Sequence, residues 1–428
     1  MRLVSRGFTT LPAVLHIRNS PTLQDDMLQI RLFLPFAAAY FLSYHFRTAN
    51  AVIGPVLSDE MSLGAADLGL LTSAYFLAFG AAQLPLGMLL DRFGARRVES
   101  ALLLIAAAGA AVFACGDGIG TLAIGRGMIG LGVSACLMAA FKSFSQWFPL
   151  EKQASMTGWI MTSGTLGALA ASTPLNAALQ IASWREIFFL LSGITLMVAG
   201  WLYFSVPDKP GTPQPEPLAK QWAGIRLVLG SRHFWRFTPL GFANIGGFMA
   251  VQSLWSSAWL MHVNGHSRAI AANHLAAMSV AMVIGYILIG LLATGLGRRG
   301  IGPMSLLKWG LSLALLTLLL IITQATEQHY LLWVAFGVLS CFGTLAYSLT
   351  SAGFPVALSG RANTTLNLIV FIGAFGLQWG MGILIDASQA NGHDIETAHR
   401  DAFIVLFALQ AAACAWLLIS GRKASPPD

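Results

Sequence analysis

Apolar runs of about 20 residues, long enough to cross a bilayer, recur along nearly the whole chain, separated by short connections rich in Gly, Pro and charge. They leave no room for a substantial soluble domain. The composition agrees: 56% of the 428 residues are hydrophobic and 10% are charged, against about 25% charged in ordinary soluble domains. The formal net charge of +7 comes from Lys and Arg in the connections rather than from one patch with interleaved aromatics, which argues against a nucleic-acid partner. Cys115, Cys136, Cys341 and Cys414 all fall in apolar segments without a CxxC pair or a metal-ligand neighbour, so buried packing is expected of them and no metal or cofactor is implied.

Reading the runs against their breakers predicts helices at 32–56, 67–89, 99–116, 120–146, 155–177 and 184–205, then at 235–261, 272–295, 304–323, 329–353, 364–387 and 401–420. The expected fold is an all-α membrane protein of about twelve transmembrane helices in two pseudo-symmetric six-helix bundles. The expected organisation is a cytoplasmic N-terminal extension at 1–31, a first bundle at 32–205, a Pro-rich cytoplasmic linker at 206–234, a second bundle at 235–420 and a cytoplasmic tail at 421–428. The first ~25 residues carry scattered basic charge and lack the apolar stretch of a signal peptide.

Short loops that stay in the cytoplasm are enriched in Lys and Arg. Eighteen basic residues, among them Arg92, Arg96, Arg97, Lys209, Arg298 and Arg361, fall on one side of this topology, whereas Arg185, Arg268 and Arg400 fall in loops on the other. A multi-pass bacterial inner-membrane protein with both termini cytoplasmic is expected, and a monomer. The two halves also echo each other. GMLLDRFGARR from Gly87 aligns with GLLATGLGRRG from Gly290, pairing Gly87 with Gly290, Gly94 with Gly297 and Arg96 with Arg299 at an offset of 203. Phe148 and Pro149 after the fourth run match Phe354 and Pro355 after the tenth at an offset of 206.

GMLLDRFGARR resembles the signature loop of the major facilitator superfamily, Gly-x-x-x-Asp-Arg-x-Gly-x-Arg-Arg. Gly87 permits close helix approach, Gly94 a tight turn, and Asp91 with Arg92, Arg96 and Arg97 can form ion pairs at the cytoplasmic mouth. The resemblance implies that these pairs latch the halves in the outward-facing state. The second half has Thr294 and Gly295 in place of Asp91 and Arg92, so a latch there is expected to be weaker. Arg126, followed by Gly127, Gly130 and Gly132, resembles the family's second motif. An arginine inside a span costs about 2.5–3.5 kcal/mol on insertion scales and so needs a buried partner or a watery cavity; a structural and a coupling role are both open. Gly158, Gly164, Gly167 and Pro174 stand where the family has a glycine-rich motif, which ordinary helix packing explains as well.

The first run carries Tyr40, Ser43, Tyr44, Arg47, Asn50 and Gly54 on one helical stripe. Arg47, near mid-span, is expected to face the bundle interior or a water-filled path and to contact substrate, with a structural ion pair or helix anchor as the alternative. His45 points the opposite way, either packed or carrying a proton. Lys142 either snorkels to the headgroups or lines the cavity. The seventh run presents Asn244, Phe248, Gln252, Trp255 and Trp259; Tyr75 and Gln83 on the second run and Asn367, Phe371 and Gln378 on the eleventh are expected to complete the lining, with interhelical packing as the alternative for each.

Tyr44-x-x-Arg47-x-x-Asn50 leading to Pro55, with Trp147-Phe148-Pro149, resembles the anion:cation symporter branch of that superfamily. The acidic residue which many such carriers place near the first-helix arginine is absent, the flanking residues being Phe46 and Thr48, and no Asp or Glu occupies the centre of a first-half run. The leading expectation is ion-coupled uptake, a symport with a proton or another ion, of a small organic anion by alternating access. Export of a drug-like or metabolic compound, which the tryptophans of the seventh run would suit, and a transporter-like sensor or assembly component are the alternatives. No nucleophile constellation, metal cluster or phosphate-cradling loop suggests an enzyme.

Overall fold

The computed structural model describes residues 21–148, 150–207, 218–297 and 299–421. Arg2, Arg6, Arg18, Lys209, Arg298, Arg422 and Lys423, Pro149 and the Pro-rich part of the linker fall outside them. The described chain crosses the long axis twelve times. The first half consists of α1 (Pro21–Thr48 continuing as Asn50–Met61), α2 (Ala65–Phe93), α3 (Ala95–Ala114), α4 (Ile119–Gly132 and Cys136–Trp147), α5 (Leu150–Ala170 and Thr173–Ala178) and α6 (Trp184–Ser205). A linker helix, Leu218–Leu229, follows. The second half consists of α7 (Arg232–Leu240 through Ser256–His262), α8 (Arg268–Gly297), α9 (Pro303–Thr323), α10 (His329–Ser340 through Leu345–Ser351), α11 (Val356–Ala390) and α12 (Ile395–Gly421). The end at which α1 begins and α12 finishes is called the near end, the opposite one the far end. The expected boundary at 31/32 falls inside α1, which starts at Pro21.

Among the described residues, nine crossings are apolar and long enough to span a membrane on their own. The exceptions are α1, α5 and α7. Buried Ser43, His45, Thr48 and Asn50 lower the apolar content of α1; Ser and Thr do so in α5; and α7 is broken into short pieces by π turns at Gly241–Ile245 and Val251–Trp255. Wide π turns release backbone groups and often mark working regions of a helix. Two more crossings are interrupted midway, α4 by turn residues 133–135 and α10 by a 3-10 segment, Cys341–Thr344.

The internal repeat is visible in three dimensions, at one offset. Gly94 closes α2 with φ +79°, and Gly300, 206 residues on, has the same φ in the matching loop. The glycine that turns the second loop is therefore Gly300. The sequence match to Gly297 is corrected, because Gly297 is the last helical residue of α8 and makes no turn. Gly167 and Gly373 stand at the same offset. A methyl at Gly167 would overlap the Phe41 carbonyl of α1, and one at Gly373 the Phe242 carbonyl of α7. The glycine-rich stretch of α5 thus lets two helix backbones touch.

α2 and α11 form the main seam between the halves. Phe79 stacks on Phe371 with centroids 4.3 Å apart, and Asn367 Nδ2 donates to Gln83 Oε1 at 3.2 Å. From there polar contacts between the halves run to the far end. Arg268 pairs with Asp59 at 3.2 Å, Thr173 Oγ1 donates to Asn273 Oδ1 at 2.8 Å, and the Asp386 carboxylate accepts the Ala65 and Ala66 N–H groups at 3.0 and 2.8 Å. These two amides begin α2, whose free N–H groups and dipole favour an anion. Glu60, also at the far end, pairs with Arg185 and accepts Trp184 Nε1–H at 2.7 Å, which holds its carboxyl below the ordinary range. Toward the near end Gly87 faces open space. The far end is thus the closed one. Of the four cysteines, Cys136 and Cys341 are buried as expected, but Cys115 is exposed where it caps the far end of α3.

Candidate functional site

Arg47 lies half-buried where the two halves meet. Its guanidinium carbon is 4.5 Å from the Tyr44 ring centroid, 5.3 Å from that of Phe79 and 5.8 Å from that of Phe371. Tyr40, Tyr44, Tyr75 and, from α10, Tyr347 are within its electrostatic reach, and Tyr286 of α8 faces Tyr40 and Tyr44. Four of the seven tyrosines of the chain thus gather around one cation, and a fifth, Tyr286, lies beside two of them. Among the described residues Arg47 pairs with no carboxylate. Aromatic faces attract a cation without neutralising it.

A polar chain continues from this centre. Tyr347 O–H donates to Asn367 Oδ1 at 2.7 Å, the Asn367 amide donates to Gln83, and Gln83 Nε2 reaches the Ser134 carbonyl at 3.4 Å beside the interruption of α4. Tyr75 is buried, with its hydroxyl donating to the Ser43 carbonyl at 3.2 Å. Beyond Arg47 toward the far end, Thr48, Ser172, Gln252 and Ser279 border a cavity with room for about one water molecule. An organic solute would therefore have to approach from the near end.

The structure brings Tyr44, Arg47, Tyr75, Gln83 and Asn367 together, and leaves other expected lining residues elsewhere. Lys142 pairs with Asp91, so it belongs to the near-end loop rather than to the cavity. Asn50 donates to Thr72 Oγ1 at 2.8 Å, joining α1 to α2. Asn244 faces Cys414 of α12. Gln252 lies against Met282 Sδ at 2.9 Å on the wall of the small cavity. Trp255 and Trp259 are buried, Trp255 donating through Nε1 to the Gln378 carbonyl at 3.1 Å with its ring edge against Gly69 of α2, and Trp259 lying 4.5 Å from the Phe403 ring. Gln378 is fully buried against Ser253 at 2.9 Å. None of these contacts involves Arg47 or the Tyr347–Asn367–Gln83 chain, and Asn50 Oδ1 and Asn244 Oδ1 stay buried without a hydrogen-bond partner.

Arg126 is fully buried, donates to the Phe46 carbonyl at 2.9 Å and lies 5.2 Å from the Tyr75 ring centroid, tying α4 to α1 and α2. His45 is buried between Phe41 and Phe46 and faces Gly167 of α5, away from the centre. In the near-end loop Arg92 lies 5.3 Å from the Phe93 ring centroid, Arg96 donates to the Val206 carbonyl at 3.3 Å beside Tyr203, and Arg97 follows it on α3. The Asp91 ion pair joins α2 to α4 within the first half; it does not bridge the halves.

Tyr286 and Tyr347 were missed in the sequence. Tyr286 is the one phenol of its apolar run, and Tyr347 shares its run with Tyr330; that was the available signal. Glu99 was missed as well, because it stands at the predicted start of its helix; α3 begins at Ala95 and the Glu99 side chain is fully buried.

Two six-helix halves around a central polar site define a solute-carrier architecture. The family model of the Major Facilitator Superfamily matches residues 36–385, and the chain belongs to that superfamily as a multi-pass membrane protein. It is 24% identical to a probable sulfoacetate transporter of Cupriavidus necator over 276 residues, 61% of this chain and 64% of that one. It is 26% identical over 164 residues to a galacturonate transporter of Dickeya chrysanthemi and to a hexuronate transporter of Escherichia coli K12. That match covers 38% of this chain and 48% and 38% of theirs, so the chain spans less than two thirds of these relatives. Among solved structures it resembles an inward-facing bacterial homologue of the human lysosomal transporter Spinster, with TM-score 0.76, 17% identity and coverage of 94% and 99% of the two chains. A D-xylose–proton symporter resembles it with TM-score 0.73, 16% identity and coverage of 91% and 97%.

Proposed function

We propose that this protein takes up a small organic anion across the bacterial inner membrane by alternating access, coupled to a proton. The observation that carries the reading is Arg47, a guanidinium between the two halves surrounded by phenols and aromatic rings, with no carboxylate to neutralise it. A carboxylate or sulfonate supplies the missing charge through a planar, two-point hydrogen bond. The phenols of Tyr44 and Tyr347 and the amides of Gln83 and Asn367 suit the hydroxyl groups of such a solute. The relatives named for sulfoacetate, galacturonate and hexuronate support this substrate class. The tryptophans that recommended an exporter of drug-like compounds are buried, Trp255 against Gln378 and Trp259 against Phe403, which weakens the feature in its favour.

Purified protein screened by thermal shift tests the reading, because a ligand that binds the folded state raises its melting temperature. Galacturonate or sulfoacetate should stabilise it, whereas xylose and a lipophilic cation should not. Stabilisation by the cation alone would reject the anion reading.

The near end is proposed to be cytoplasmic, on the count of basic residues. Reporter fusions after Arg97, in the linker and at the C terminus should report cytoplasm, and one in the Ala178–Ser183 turn should report periplasm. A periplasmic signal from the linker would overturn the orientation.

The Asp91–Lys142 pair is proposed to act in the transport cycle. Its Asp91 side chain is 55% exposed, so removing the pair should change stability by less than about 1 kcal/mol. Asp91→Asn and Lys142→Gln should each insert normally and slow uptake, with the double variant no slower than the worse single one. Additive losses would mean that the two residues act separately.

A further inference from the structure

Glu99 lies one turn into α3, with no exposed surface and no hydrogen-bond acceptor or donor geometry satisfied at either carboxyl oxygen. It is joined by Cys136, which starts the second segment of α4 directly after the interruption at 133–135. Neither residue has a part in the arginine site described above. An ionised carboxylate at this position would be a buried, uncompensated charge, whereas the protonated acid is a modest polar group.

The charged and titratable groups on the elements around it are otherwise engaged. On α2 and α4, Asp91 and Lys142 pair with each other. On α6, Tyr203 lies under Arg96 of α3 itself, and Arg97 is exposed in the first turn of α3 at the near end. Arg126 of α4 is tied to Phe46. Of this set Cys136 is the group that interacts with Glu99, and Cys136 in turn is within electrostatic reach of Tyr40 and Arg47. The carboxyl thus sits one side chain behind the wall of the central site, next to a break in the helix that forms the wall.

We propose that Glu99 is the proton-binding group of the transport cycle, loaded as the neutral acid when α4 is closed over it and unloaded when the break in α4 admits water. The step is a plain ionisation: the carboxyl O–H bond breaks, the electron pair stays on the oxygen and the proton passes to water. This rests on the proton-coupled anion reading, and supplies it with the acidic group that the first helix lacks.

The test has an arm that needs no substrate. Infrared difference spectra of the purified protein, recorded between low and high pH, should contain a protonated-carboxyl band from a buried acid. That band should be missing in Glu99→Gln and shifted in Cys136→Ala, which removes its neighbour. A band unchanged in Glu99→Gln overturns the assignment, and should that variant fail to fold, an unshifted band in Cys136→Ala does so instead. In proteoliposomes with galacturonate, Glu99→Gln should keep binding and counterflow exchange while losing accumulation driven by a pH gradient. Gradient-driven accumulation at the wild-type level would also overturn it. Absence of galacturonate and sulfoacetate binding in the wild-type protein would sink the substrate reading instead, and leaves the infrared result to decide on Glu99.

Discussion

Arg47→Gln is expected to weaken binding of an organic anion roughly ten- to hundredfold while leaving the amount of folded protein near the wild-type level. The guanidinium packs on Tyr44, Phe79 and Phe371, and glutamine keeps part of that packing without the charge. Losing hydrogen bonds from a charged group costs about 1.5–3 kcal/mol, roughly a ten- to hundredfold loss of affinity. Arg47→Lys retains the charge but not the planar fork, so it should lose less than Gln and far more than a point-charge site would allow. Titration of monodisperse variants by calorimetry gives the answer. Wild-type affinity in Arg47→Gln would remove both the site and the anion.

Gly382→Val is expected to stop transport without unfolding either half. Gly382 of α11 lies so close to the Ala65 carbonyl at the head of α2 that a Cβ there overlaps it. The contact joins the two halves at the closed far end, so a branched side chain should prop that end open instead of disrupting a bundle core. Binding from the far side should survive, and uptake should fall by at least about tenfold, which needs only about 1.4 kcal/mol against closure. Cysteines replacing Asp59 and Arg268, close enough here to form an ion pair, give a structural readout. Crosslinking by a bifunctional thiol reagent long enough to span the replaced ion pair should be efficient in the parent and suppressed by Gly382→Val. Equal crosslinking in both would show that the far end still closes.

The twelve crossings were legible because lipid imposes a length and an apolar composition that a sequence displays directly, and α6 and α9 begin and end within a residue of where the apolar runs do. Arg47 was legible for a related reason: a mid-span charge is costly enough to demand an explanation. Helical phase was a poorer guide to the other lining residues. It names the face on which Asn244 or Trp259 lies, but α7 is wound by π turns that rotate the stripe, and these two side chains meet partners inside their own half. Nor does sequence spacing say that Lys142 reaches Asp91 across two helices. Glu99 was hidden by an apparent helix start, since a carboxylate at the end of an apolar run looks like a solvated boundary until neighbouring helices are seen to cover it.

The carboxylate of Asp386 closes the far end on two backbone amides, those of Ala65 and Ala66, and this has a genetic consequence. An amide is encoded by every residue other than proline, so one partner in this contact is almost immune to missense mutation. Suppressors of a damaged Asp386 should accordingly be absent from positions 65 and 66. They should arise instead where substitution favours far-end closure by other means, such as the Asp59–Arg268 pair, and the distribution of such revertants would record how the work of closing is divided around the rim.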